Sequence, residues 1–235
     1  NANSHCAPFI YHCAPNHSDK ELVGNFLKHL RNVGPKGYMN ASAPPLEPMP
    51  KAFLLVPLQM EADTNILRHV PNNLRTMQAF VDFVSWHDPD VPLLFKQHPA
   101  DARTHNQQLS LKLRRKGDVL VPHHLGNIHQ LLKSGHCKGI ISLNSNAVHD
   151  GLLWGVSSVV LGSNIWASFG PSPFLKHIPS SSRDLQTFFG DTENVRIAYC
   201  LHLIRNQWSL EDLASPPKIL AFLKQCSQWL DRQTA

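Results

Sequence analysis

Residues 139–162 read GIISLNSNAVHDGLLWGVSSVVLG, and this stretch decides the fold. Gly139-Ile140-Ile141 is an apolar strand that runs into a polar loop, Ser142-Leu143-Asn144-Ser145-Asn146. Val148, Leu152 and Leu153 then recur at helical spacing as far as Gly155, and Ser158-Val159-Val160-Leu161 forms a second apolar strand. A strand, loop, helix, strand unit predicts a parallel α/β sheet. Its loop presents hydroxyls, amides and backbone N–H groups at a helix N-terminus. Anions bind at such places, because the first N–H groups lack partners and the helix dipole is positive there.

Working upstream, the same alternation repeats. Ala52–Gln59, AFLLVPLQ, is a continuous apolar strand with a polar end, as buried parallel strands are. A loop with Asp63 and Thr64 leads to a helix expected over about 74–86 (Met77, Phe80, Val81, Val84). A second strand, Pro92–Lys96, ends at Gln97-His98-Pro99. A basic segment expected to be helical (Leu109, Leu111, Leu113, Arg114, Arg115, Lys116) precedes a short strand, Asp118–Pro122. His123-His124 and a helix through Ile128, Leu131 and Leu132 lead back to the starting stretch. Loops at the carboxyl ends of parallel strands gather function, and Gln59, His98, His123 and Ser142–Asn146 all occupy such ends.

The flanks are less regular. Residues 1–17, with His5, Cys6, His12, Cys13 and His17, have no zinc-like spacing and read as an irregular arm without a metal. Ser18 and Glu21 have the spacing of a capping box, opening a helix striped by Leu22, Phe26, Leu27 and Leu30 that ends at Gly34-Pro35. The Pro-rich connector NASAPPLEPMP (40–50) then separates an N-terminal part, 1–50, from a Rossmann-like domain, 51–235. Beyond the looser region of Trp166, Phe169 and 171–174, helices are expected over 182–189, 193–206 and 217–232, their apolar stripes packed on the sheet.

Composition narrows the function classes. A 235-residue chain that is 42% hydrophobic and 17% charged describes a folded globular protein. Its formal charge of +5 favours anionic partners such as phosphates, nucleotides, acidic glycans or anionic lipid. Five Cys without paired spacing argue for a reducing compartment. With no signal peptide and no apolar run near the roughly 20 residues that span a bilayer, a cytoplasmic location is expected. Gly-x-Gly-x-x-Gly, Walker and Gly-x-Ser-x-Gly patterns are all missing, which argues against NAD, P-loop and serine-hydrolase chemistry. The run 112–116 lacks the interleaved aromatics of a nucleic-acid platform and reads as a solvated face.

The individual site candidates each carry two readings. His98 either projects into a ligand crevice and donates to a phosphate, or sits in a surface turn closed by Pro99. Ser142, Asn144, Ser145 and Asn146 offer small donors to a phosphate, while Ser145 or Asn146 equally suits a helix cap. Asp150, one turn into the helix, is either an acceptor for a sugar hydroxyl or a solvated first-turn acid. Gln59 joins this group by its place at a strand end.

Taken in order, these pieces resemble the capsule polysaccharide biosynthesis family, which includes Kdo (ketodeoxyoctonate) transferases. They are VPLQ at 56–59 with Asp63 after it, KQHP at 96–99, SLNSNAVHDGLLWG at 142–155 and VVLG at 159–162, over about residues 50 to 175. The resemblance implies a Rossmann-like parallel sheet flanked by helices, one half of a two-domain GT-B glycosyltransferase, the half that binds the donor nucleotide. It implies a CMP-activated, Kdo-like sugar donor, a glycan or glycolipid acceptor, and no cofactor. By it, His98 and Ser142–Ser145 contact the donor phosphate, and Asp150 stands near the nucleotide where the family usually has Glu. Val148 and Gly151 depart from a common Gly and Ala.

An N-terminal half, which in such enzymes supplies acceptor contacts and usually the base, is expected to be absent or reduced. No catalytic residue is therefore nominated, Asp63 being only a weak candidate. An inverting glycosyltransferase of bacterial surface polysaccharide, peripheral to the inner membrane, is the leading expectation. A non-catalytic sugar-nucleotide or glycan-binding module and a GT-B-like sugar-nucleotide epimerase are the alternatives.

Overall fold

The computed structural model describes residues 15–33, 43–87, 89–101, 111–163, 174–206, 215–221 and 224. Its centre is a six-stranded, all-parallel sheet. In chain order the strands are β1 (Phe53–Pro57), β2 (Leu93–Lys96), β3 (Val119–Val121), β4 (Cys137–Ser142), β5 (Ser158–Val160) and β6 (Phe174–Leu175). They lie side by side as β3-β2-β1-β4-β5-β6. Connections therefore run outward one way from β1 and then outward the other way from β4. The carboxyl ends of β1 and β4 flank the point where the order reverses, and a crevice opens at such a point.

Strand burial explains why both faces are covered. β1 is buried at every position, so alternate side chains feed two separate cores. Phe53 and Leu55 join Leu94, Ile140, Val148, Leu152 and Tyr199 on one face, while Leu54 and Val56 join Phe80, Val84, Phe95 and Ile141 on the other. The helices are α1 (His17–Val33), α2 (Thr64–His69), α3 (Met77–Trp86), α4 (Ile128–Lys133), α5 (Ala147–Trp154), α6 (Ser182–Asp191) and α7 (Glu193–Asn206). Side chains of α4, α5 and α7 supply the first core, and those of α2, α3 and α6 the second.

Local chemistry sets the helix ends. Thr76 caps α3 by accepting from the Ala79 N–H, and Asn127 and Gln130 form a reciprocal box at α4. α5 ends at Gly155, whose left-handed φ of 72° a side chain would resist.

Three expectations need correction. Residues 111–117 are not helical. Leu111 and Leu113 point alternately inward with exposed Lys112 and Arg114 between them, a period of two that extended backbone produces. The segment is pinned to α3, with the Lys112 N–H donating to Gln78 and Arg114 forking onto Asp82. The first helix is capped by Asn16 and Asp19, each side chain accepting from the other's N–H, instead of by Ser18 and Glu21. In α7, the stripe of Ile197, Leu201 and Ile204 packs on Val23 and Leu27 of α1, while Ala198 and Tyr199 face the sheet.

Residues 43–50 also dock onto the domain, as the Gly126 N–H donates to Pro44 O and Gln130 Nε2 to Ala43 O. The His- and Cys-bearing arm at 1–14, the Trp166–Phe169 region and most of the predicted helix 217–232 lie outside the described residues. No described helix is long and apolar enough to cross a membrane.

Candidate functional site

A cleft of about 210 Å³ opens at the carboxyl edge of the sheet. Gln59 enters it after β1, Lys96 from the last position of β2 with Gln97 and His98 following, His123 after β3, and Asn144, Ser145, Asn146 and Asp150 from the β4–α5 region. Six strand-end and helix-start positions named from sequence, Gln59, His98, His123, Asn144, Ser145 and Asn146, thus share one cavity, with Asp150 beside them.

Their roles inside the cavity differ. Gln59 and Asn144 grip each other across the switch point, Gln59 Nε2 donating to Asn144 Oδ1 at 2.9 Å and the Asn144 N–H to Gln59 Oε1 at 3.2 Å. Asn144 Nδ2 also donates to Asn65 O at 3.0 Å, which ties the start of α2 to the same loop. Both amides are buried, so these bonds fix the loops that carry the site. Ser142 has no exposed surface and is not on the cleft wall. Its Oγ accepts from the Ser145 N–H at 2.9 Å, so it shapes the loop from beneath instead of reaching a ligand. Ser145 Oγ in turn accepts from the Ala147 N–H, the first residue of α5.

Histidine and lysine give the cleft its electrostatic character. The Ala100 N–H donates to His98 Nδ1 at 3.1 Å, so the ring proton of neutral His98 resides on Nε2. Burial pushes the His98 pKa down, with Asp101 and Asp63 pulling the other way. Lys96 is the residue that the sequence reading passed over as a site. It is 5% exposed, and its Nζ donates to Pro122 O at 2.7 Å and His123 O at 3.2 Å. No described carboxylate forms an ion pair with it. Burial lowers its pKa to about 8, so near neutral pH it presents a positive charge to the cleft. The available signal was a lysine closing the apolar run Leu93-Leu94-Phe95 at a strand's carboxyl end.

Two carboxylates complete the wall. Asp63 caps α2 by accepting from the Asn65 N–H at 2.8 Å. Asp150 Oδ1 lies 3.5 Å from His129 Nε2. Chemically the arrangement suits an anion near Lys96, His98 and the N-terminus of α5, with hydrogen-bond acceptors at its margins. Among the described residues no group of three His, Cys, Asp or Glu is placed to hold a metal ion.

A family model described as capsule polysaccharide biosynthesis protein matches residues 2–173. The chain belongs to that family. Among solved structures, a Thermosulfurimonas dismutans KpsC, beta Kdo 2,7 transferase, is similar at 15% identity and TM-score 0.53, covering 84% of this chain and 57% of that one. A Thermosulfurimonas dismutans KpsC, beta Kdo 2,4 transferase, is similar at 14% identity and TM-score 0.51, covering 82% and 59%. The capsule polysaccharide biosynthesis chain thus spans less than three-fifths of the length of either neighbour, whose likeness is one of fold. No curated protein sequence matches it. The family match begins well before the sheet and takes in α1 and the 43–50 connector, where the sequence reading found resemblance only from about residue 50.

Proposed function

We propose that this chain binds the nucleotide of a CMP-activated, Kdo-like sugar and serves as the donor side of a glycosyltransferase in surface-polysaccharide assembly. The observation that carries the reading is Lys96, a buried ammonium with no carboxylate partner among the described residues, beside His98 and the start of α5 in the switch-point cleft. In this mechanism the donor phosphate lies against Lys96 Nζ, His98 Nε2–H and the Asn146 N–H at the start of α5, the N–H groups of Asn144, Ser145 and Ala147 being taken by side chains of the loop. These groups stabilise the charge that accumulates on the phosphate as the glycosidic bond breaks. Asp150 accepts from the sugar of the nucleotide. The acceptor is a glycan or glycolipid, and a peripheral contact with an anionic membrane suits the chain's formal +5 charge.

Isothermal titration with CMP and UDP tests this. CMP is expected to bind in preference to UDP, and His98→Ala to weaken CMP roughly 10- to 100-fold, the range for a bond to a charged group. Preference for UDP would overturn the Kdo-type reading.

A binding-only module is the second reading, and one observation favours it. Both carboxylates in the cleft are already committed, Asp63 to its cap and Asp150 to the approach of His129. Turnover of CMP-Kdo with a glycan acceptor, abolished in Asp63→Asn, would establish catalysis with Asp63 as the base, since Asn preserves the cap. Binding without turnover would establish the module.

A further inference from the structure

We propose that His129 and Trp154 are positioning residues that aim the Asp150 carboxylate at a ribose hydroxyl, and so make the cleft select ribonucleotides over deoxyribonucleotides. The inference rests on the nucleotide reading above and adds to it two residues and a selectivity.

The geometry is a chain of three side chains from two helices. Trp154, at the end of α5, donates from its indole Nε1 to His129 Nδ1 at 3.1 Å. An indole nitrogen can only donate, so Nδ1 is fixed as the acceptor. The ring proton is thereby placed on Nε2, which faces Asp150 Oδ1 at 3.5 Å. The side chains of His129 and Asp150 are 14% and 16% exposed, so the pair is held largely out of bulk water. Asp150 and Trp154 lie one turn apart on α5, and His129 reaches them from the first turn of α4. Arg31 of α1 closes the far end, its guanidinium 5.5 Å from the centre of the Trp154 ring while its Nε donates to Leu153 O.

A carboxylate has about four lone-pair sites, more than the approach of His129 takes up, and Asp150 lines the cleft. The group such an acceptor recognises is a hydroxyl, and the vicinal pair on ribose is the one a nucleotide offers. The His129 ring matters because an aspartate packed against it, only 16% exposed, has less rotamer freedom to lose on binding than a solvated one.

The test compares CMP with 2′-deoxy-CMP by calorimetry in the full chain and in three variants. The full chain is expected to prefer CMP by about tenfold or more, the discrimination a hydrogen-bonding site shows against a missing hydroxyl. In His129→Leu and Trp154→Phe that ratio should fall toward one through loss of CMP affinity, with deoxy-CMP little changed. His129→Gln should retain most of the ratio, because one amide can accept from the indole and donate to Asp150. An unchanged ratio in His129→Leu would overturn the proposal, as would equal losses for both nucleotides.

If the unmodified chain bound neither nucleotide, the functional reading and the ribose assignment would fall together. Nitrogen-15 NMR of the ligand-free protein would still judge the side-chain chain itself. It should find the His129 proton on Nε2, and a proton on Nδ1 would sink the positioning role whatever the cleft binds.

Discussion

At the scale of single residues, Lys96 and His98 sit two apart at the end of one strand and do different work. His98 is a turn residue whose Nδ1 accepts from the Ala100 N–H, whereas Lys96 has its charge buried among carbonyls. The lysine makes a prediction with a definite sign. Its pKa in the folded chain is about 8 against an ordinary value of 10.5. Between those two pH values the unfolded chain binds more protons, so Lys96 makes the ligand-free protein gain stability as pH rises from about 8 to 10.5. Urea unfolding across that window should show a rise for the unmodified protein relative to Lys96→Met, in which the contribution is gone. Anion affinity should move the opposite way, weakening as Lys96 loses its proton above pH 8. A difference between the two proteins that stays flat with pH would mean that the amine is solvated. Histidine at 98 was legible in sequence because Pro99 marks the strand's exit, and Gln59 because it ends an apolar run. Lys96, His129 and Trp154 were not, since what distinguishes them is burial and a partner on another element. A lone lysine or tryptophan carries no trace of either in one dimension.

At the scale of elements, the site depends on how three loops are locked together. The Gly162 N–H donates to Leu143 O at 2.6 Å, the Ser163 N–H to His69 O at 2.7 Å, and Asn144 reaches Asn65 O. A side chain at position 162 would place its Cβ 2.7 Å from Leu143 O and 3.1 Å from His69 O, both backbone atoms with little room to move. Gly162→Ala should therefore cost about 1–3 kcal/mol in chemical denaturation. It should also weaken CMP binding, because Leu143 adjoins Asn144 at the cleft. Full stability with full affinity would show that these loops are not coupled. Strands β1, β2 and β4 were readable because their apolar runs are bounded by polar ends. The segment 111–117 was misread because its leucines alternate, and basic residues between them suit a helix surface and an extended edge equally well. Only the contacts with Gln78 and Asp82 on α3 decide between the two. The Ser18–Glu21 pair failed for a related reason, since Asn16 and Asp19 have the same spacing two residues earlier and won the cap.

At the scale of the molecule, the order β3-β2-β1-β4-β5-β6 explains why residues as distant as Gln59 and Asn144 meet. Reversal between β1 and β4 separates the two loops that would otherwise be bridged by the next connection, and the cleft is what remains. The outer parts of the chain reinforce that centre instead of standing apart from it. α1 packs on both α7 and α5, bringing Arg31 to Trp154, and the 43–50 segment braces the start of α4. The sequence pointed to the sheet but not to the docking of the 43–50 segment, because a Pro-rich connector reads as a linker whether or not it docks. If these parts form one cooperative unit around the cleft, ligand binding should stabilise all of it together. At a CMP concentration about 100 times its dissociation constant, the linked stabilisation is about 2.7 kcal/mol. For a chain of this size that corresponds to a rise in Tm of roughly 5–10 °C, with UDP giving less at the same concentration. Tryptophan fluorescence and far-UV circular dichroism, recorded on the same samples, should shift by equal amounts. A shift in one signal alone would show that the outer helices melt independently of the nucleotide cleft.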